Sequence, residues 1–418
     1  MKIPILSSTC LFVTVLLSAF TSLSFGGEGP IETQLQKVLD EGIRKYEARG
    51  VSAAVIFHDG KVWTGTSGIS HGTVPIEPDM LFMIGSITKN VVAALALQLV
   101  EEGILSLDDP LSKWLPAYPH VDSTTTLRQL LNHTSGIYMF WSNQRIWDDM
   151  TKDESKIWTP EEVLSYIKEP YFAPGEGYRY SNTNYLLLAM IIEKATGSKL
   201  STQFKERFWQ PLGITNAYLS IQEEIPDKWA HVFGDNFRND GSWQDVTFEP
   251  RAAHDSIGFG SAGLYMTAED LARWCHAIFE GEVVSQQSMD EMLRFVDIGF
   301  FNKKRGYGLG VQRFRRKMGS GETAIGHSGG GIGSGAHMVH LPEHHVSVVV
   351  MVNTCWCSGD IAQELIACVL RDLGVLGKLP YIDPFYIKAF FLWAAAVVAV
   401  NVVIRKWKKA RASQSNEA

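Results

Sequence analysis

Apolar positions recur at helical spacing through residues 31–49, as Ile31, Leu35, Val38, Leu39, Ile43 and Tyr46, which predicts an amphipathic helix. The pattern then changes. Val51 to Phe57 reads as a buried strand, Asp59-Gly60 as a hairpin turn and Lys61 to Thr66 as the returning strand. Ser86 to Glu102 is mostly apolar around its whole circumference and stops at Gly103, which predicts a buried helix. Residues 104–255 are richer in helix and loop. Thr159-Pro160-Glu161-Glu162 opens a helix with a cap, a proline at the first position and acids in the first turn, and Thr267 with Asp270 opens another. From Tyr307 the strand pattern returns, as Tyr307 to Phe314, Glu322 to Gly326, Gly335 to Leu341 and Val346 to Asn353, and Ile361 to Leu373 is a closing helix. Strands near both ends with helices between them predict an α+β fold. One antiparallel sheet forms from the N- and C-terminal strands, helices cover both its faces, and a mainly helical region is inserted.

Both ends of the chain stand apart from this pattern. A positive start at Lys2, an apolar run to Phe20 and small or polar residues to Gly27 read as a secretory signal peptide over residues 1–27. A second apolar run, 386–404, is followed by Arg405, Lys406, Lys408, Lys409 and Arg411. That layout predicts a transmembrane helix with a basic cytoplasmic tail, 405–418. The expected protein is therefore exported, to a secretory compartment, periplasm or cell surface. It would be a single-pass membrane protein with its body, residues 28–380, outside and its C-terminus cytoplasmic. Net charge is -7, which leaves no basic footprint for nucleic acid. Of five cysteines, Cys10 departs with the signal. Cys275, Cys355, Cys357 and Cys368 remain; their pairing is not fixed by sequence, Cys355 and Cys357 are too close for a typical staple, and the spacing matches no zinc pattern.

Three short segments carry candidate chemistry. In Gly85-Ser86-Ile87-Thr88-Lys89, a helix starting at Ser86 puts Lys89 on the same side, three residues on. A serine hydroxyl needs a base to become a nucleophile, and a desolvated lysine can lose its charge and supply one. In Tyr180-Ser181-Asn182, a tyrosine beside an ammonium can shuttle a proton, and Asn182 can hold a substrate amide. In His327-Ser328-Gly329-Gly330, the glycines let a substrate backbone approach, and a strand N–H can complete an oxyanion hole with that of Ser86. His327 is expected at the edge of the site. His340, His344 and His345 suggest a metal cluster on paper but flank Pro342-Glu343, which reads as a surface turn. Asn132-His133-Thr134 fits a glycosylation sequon within a stretch that has another explanation, given next.

The order Ser-x-x-Lys, Tyr-x-Asn, His-x-Gly resembles the serine β-lactamase and DD-peptidase superfamily. The branch with class C β-lactamases, DD-carboxypeptidases, D-aminopeptidases and related esterases is the most similar. Leu105 to Pro110, Leu130 to Gly136 and Phe172 to Gly175 also resemble that branch, so the likeness covers residues 31–375. It implies that Ser86 is acylated, that Lys89 and Tyr180 share the general-base work, and that Asn182, His327, Ser328 and Gly329 bind substrate. The N–H groups of Ser86 and Gly330 would form the oxyanion hole. Neither cofactor nor metal is implied. His327-Ser328-Gly329 stands where β-lactamases usually carry Lys-Thr-Gly, which argues against efficient antibiotic hydrolysis.

The expected function is an acyl-enzyme hydrolase of a small-molecule or peptide substrate, a peptidase or amidase for a D-configured residue. An esterase or weak β-lactamase on the same scaffold, and a non-catalytic penicillin-binding-like sensor, are the competing readings. If the His327 imidazolium recruited a substrate carboxylate, activity would weaken above about pH 6.5.

Overall fold

The structure is a computed structural model, described here for residues 29–234, 244–248, 251–298, 306–314, 323–354 and 357–376. Its compact body runs from Gly29 to Val375. Helix α1 (Ile31–Lys45) leads into β1 (Gly50–Ile56), β2 (Val62–His71) and the short β3 (Val74–Pro75). Asp59-Gly60 makes the first turn: Gly60 has φ +79°, and the Lys61 N–H donates to Asp59 Oδ1 at 3.0 Å. The chain returns to the sheet as β4 (Val296–Asp297), β5 (Gly306–Tyr307), β6 (Gln312–Phe314), β7 (Ala324–Gly331), β8 (Ser334–Leu341) and β9 (Val346–Val352). The nine strands lie in the order β3-β2-β1-β9-β8-β7-β6-β5-β4, and every pairing is antiparallel. The first and last strand groups meet at β1 and β9, where Val51 faces Val352 and Ile56 faces Ser347. The α+β layering is thus as the sequence pattern predicts.

Helices cover both faces. Helix α4 (Ala268–Phe279) packs on β1, β8 and β9, while α1 and α5 (Ser358–Asp372) pack together on the opposite side. Side chains three apart on β8 show the division, since His337 abuts Gly359 of α5 and His340 abuts His276 of α4. Helix α2 (Thr88–Glu101) is buried on nearly every side, as is α3 (Asn182–Thr196), and the two pack against each other within the main core.

Three predicted elements differ in detail. The helix from Ser86 opens as a 3-10 turn, Gly85–Ile87, before α2 begins at Thr88. The predicted strand from Tyr307 to Phe314 is broken into β5 and β6 by Gly308 and Gly310; Gly310 has φ +68°, and a Cβ there would stand 2.6 Å from Ala93 and 2.8 Å from the Lys89 carbonyl. β7 extends through Gly331, so the His327-to-Gly330 segment is strand rather than its end.

The expectation of a single-pass membrane protein is corrected. No helix among the described residues is long and apolar enough to cross a membrane. The segments on which that expectation rested, 1–27 and 386–418, lie outside the described residues. Cys357 is disulfide-bonded, while Cys275 and Cys368 are free and buried.

Candidate active site

Ser86 sits on the tight turn that feeds α2, and it is the one residue from Leu81 to Asn90 that is not buried. Gly85 before it has φ +53°, and a Cβ there would stand 2.4 Å from both the nitrogen and the oxygen of Gly330. The turn therefore lies flat against β7, backbone to backbone, because neither Gly85 nor Gly329 carries a side chain. Ser328 N–H leaves β7 on its β6 edge, donating to Gln312 Oε1 at 3.2 Å. In a regular strand the N–H two residues on leaves by the same edge, which directs Gly330 N–H toward Ser86. β6 pairs with β7 only as far as Gly326, so that edge is open where Gly330 stands.

Lys89 is fully buried, with Nζ 2.9 Å from Ser86 Oγ and 2.7 Å from the Ser261 carbonyl oxygen. Among the described residues no carboxylate pairs with it. Burial alone holds its amine well below the usual lysine range, which favours loss of its charge. Once deprotonated, an amine that donates to Ser261 O keeps its lone pair for the Ser86 hydroxyl proton. Ser261 was not legible as a site residue, since it contributes a backbone carbonyl that its side-chain type does not announce.

The Tyr180 ring lies 5.0 Å from Lys89 Nζ. Burial pushes its phenol above the ordinary tyrosine value, and a hydrogen bond with Ser86 opposes that rise. The expected net lowering does not occur, because burial of the phenol outweighs it. The phenol stays protonated and can relay a proton without ionising first.

His133 fixes the segment around Tyr180. Its carbonyl accepts from Arg179 N–H at 3.0 Å, and its Nδ1 accepts from Ser181 N–H at 3.3 Å and from the Asn184 amide at 3.0 Å. These donors require the proton on Nε2. The ring is packed among Tyr180, Tyr185 and Tyr307, with centroids 4.2, 5.4 and 4.7 Å away. His133 belongs to the Leu130-to-Gly136 stretch noted in the sequence, but its role follows only from contact across chain segments. Asn182 opens α3, and its Oδ1 is buried without a hydrogen-bond partner.

His327 departs from expectation. It is fully buried, and both ring nitrogens are engaged: Nδ1–H donates to the Ser328 carbonyl at 2.6 Å, and Tyr307 Oη–H donates to Nε2 at 2.9 Å. Burial pushes its imidazole down to about 3, so it is neutral near pH 7. It lies beside Tyr180, with ring centroids 6.5 Å apart, as a neutral imidazole rather than an imidazolium. Ser328 and Gly330, on the other face of the strand, are partly open. His340 is not on a surface turn either; it is buried on β8 beside Glu280.

Ser86, Lys89 and Tyr180 thus meet as a hydroxyl, an amine and a phenol, with the Gly329–Gly330 backbone packed against the Ser86 turn. That set can transfer an acyl group to serine without metal ligands of its own.

Comparison with known proteins gives the family. The sequence profile of the family described as Beta-lactamase matches residues 35–355. Penicillin-binding protein 4* of Bacillus subtilis (strain 168) is 27% identical over 299 residues, covering 67% of this chain and 62% of that protein, so the chain spans about three fifths of that relative. Esterase EstB of Burkholderia gladioli is 27% identical over 315 residues, covering 67% of this chain and 78% of that enzyme. Among solved structures, a D-stereospecific amidohydrolase from Streptomyces sp. superposes with TM-score 0.71 at 28% identity, covering 80% of this chain and 98% of that one. The chain belongs to the β-lactamase family.

Proposed function

We propose that the protein is an amidase or peptidase that works through an acyl-enzyme on Ser86, with a D-configured residue beside the scissile bond. The observation that carries this reading is the buried Lys89 amine 2.9 Å from Ser86 Oγ, with no acid partner among the described residues. Lys89 takes the Ser86 proton as the oxygen attacks the substrate carbonyl. The N–H groups of Ser86 and Gly330 receive the oxyanion. The Tyr180 phenol passes the proton to the leaving group, and water, activated by the same pair, then releases the acyl group.

Asn182 opens α3 two residues after Tyr180, and its side-chain amide is suited to holding a substrate amide group. D-configuration is suggested by the likeness to the D-stereospecific amidohydrolase. Ser86→Ala should abolish covalent labelling by a fluorophosphonate probe, and labelling that survives in that variant removes Ser86 from the role. D- and L-configured amino-acid amides, compared with p-nitrophenyl esters at equal concentration, test the substrate class. A preference for the esters, or for the L-amides, overturns it.

A further inference from the structure

On the far side of β8 from α5, three imidazoles and one carboxylate converge outside the site described above. Helix α4 supplies His276 in its last turn and Glu280 at its C-cap, four residues apart and so on one face. β8 supplies His340, 1% exposed. The turn between β8 and β9 supplies His345. Glu280 lies at the centre, with Oε1 3.3 Å from His340 Nε2 and both oxygens 2.9–3.0 Å from His345 Nδ1. His276, Glu280 and His340 each offer a ligand atom, and these atoms all lie within 4.8 Å of one another.

Ser347 orders the rings. It pairs with His340 across β8 and β9, and its Oγ stands 3.0 Å from Nδ1 of His340 and 3.5 Å from Nδ1 of His276. One hydroxyl oxygen has two lone pairs and can accept from both Nδ1–H groups. With an ion between Glu280 and the rings, that arrangement leaves the Nε2 lone pairs of both rings free for the metal; without one, Nε2–H of His340 donates to Glu280 and the Ser347 hydroxyl turns to donate to Nδ1. Phe279 stacks on His340 at 5.6 Å and restricts its ring further. The C-terminal end of α4 adds a partial negative charge that favours a cation.

We propose that His276, Glu280, His340 and His345 bind a zinc-like divalent cation. Three imidazole nitrogens and one carboxylate match the donor types and the four-fold coordination of a closed zinc site. Bonds of about 2.0–2.2 Å to a shared ion draw the donor atoms closer than they now stand. Glu280 and the exposed His345 are the ends free to make that movement, while His340 is held by Ser347 and Phe279. The ion would tie the end of α4 to the β8–β9 turn, a structural role separate from Ser86.

The test uses the purified chain after exhaustive chelation, titrated with Zn²⁺ by calorimetry, with bound metal counted by mass spectrometry. The expected result is one Zn²⁺ per chain and a raised melting temperature. Affinity should fall about 10–100-fold or more in Glu280→Gln and in His276→Asn. Fluorophosphonate labelling at the wild-type rate reports that each variant is folded. If Glu280→Gln does not label, His345→Ala carries the measurement, since that side chain is 64% exposed and its loss spares the core. No stoichiometric uptake, or an affinity equal in wild type and variants, means a hydrogen-bonded cluster with adventitious binding only and overturns the proposal.

Discussion

Gly329→Ala tests how closely the nucleophile turn and β7 must approach for catalysis. A Cβ at Gly329 would stand 1.9 Å from the Ile84 carbonyl oxygen and 3.0 Å from the Ser86 nitrogen. Both atoms are backbone and neither can swing away as a side chain would. Ordinary contact lies near 3.5 Å, so strand and turn must part by about 1.5 Å. A misplacement of about 1 Å costs about 10²-fold in rate, and losing one oxyanion donor costs about 10²–10³-fold. The expected fall in kcat/KM is therefore about 10²-fold or more, which corresponds to about 3 kcal/mol of transition-state stabilisation. Overpacking lowers stability as well, by about 1–3 kcal/mol. Gly281→Ala separates the two effects. Gly281 has φ +82° with nothing near the added carbon, so this variant strains the backbone far from Ser86 and should lower the melting temperature alone. The assay is the second-order rate of fluorophosphonate labelling beside a thermal melt. A folded Gly329→Ala protein that labels within about threefold of wild type would refute the close-approach reasoning.

Lys89→Met should cut labelling about 10²–10⁴-fold while raising stability at neutral pH, because it removes a buried amine and keeps the volume. Burial depresses this amine in the folded chain, whereas the unfolded chain titrates near 10.4, so between those values the unfolded state binds the extra proton and wild-type stability climbs with pH. The stability gap between Lys89→Met and wild type should accordingly narrow from pH 7 to 10 in urea melts; a constant gap contradicts it. For His327, whose imidazole is neutral down to about 3, activity on free-acid peptides should show no His327-dependent fall across about pH 6.5. A fall centred there in wild type that vanishes in His327→Gln would restore the imidazolium reading.

Much of the fold was legible because burial leaves a periodic trace. The α1 stripe, the Asp59-Gly60 turn, the capped starts at Thr159 and Thr267 and the mostly apolar α2 each follow from local rules. The break between β5 and β6 was not, because Gly310 is there to clear Ala93 and Lys89, which are remote in sequence.

At the site, the sequence alone determined which groups are present, their order, and the i, i+3 pairing of Ser86 with Lys89, since that pairing is set by helical geometry. Tertiary structure decided their chemical states. The Lys89 amine is held well below the usual lysine range because α2 is buried on nearly every side, and no local pattern reports that cover. Tyr180 stays protonated because its own burial raises the phenol. His327 faces inward because the alternation of β7 is fixed by its register with β8, where His327 stands opposite Met338. His133 and Ser261 act through a ring nitrogen and a carbonyl that touch distant segments, and the meeting of His276, Glu280, His340 and His345 arises the same way, since contact between remote segments exists only after packing.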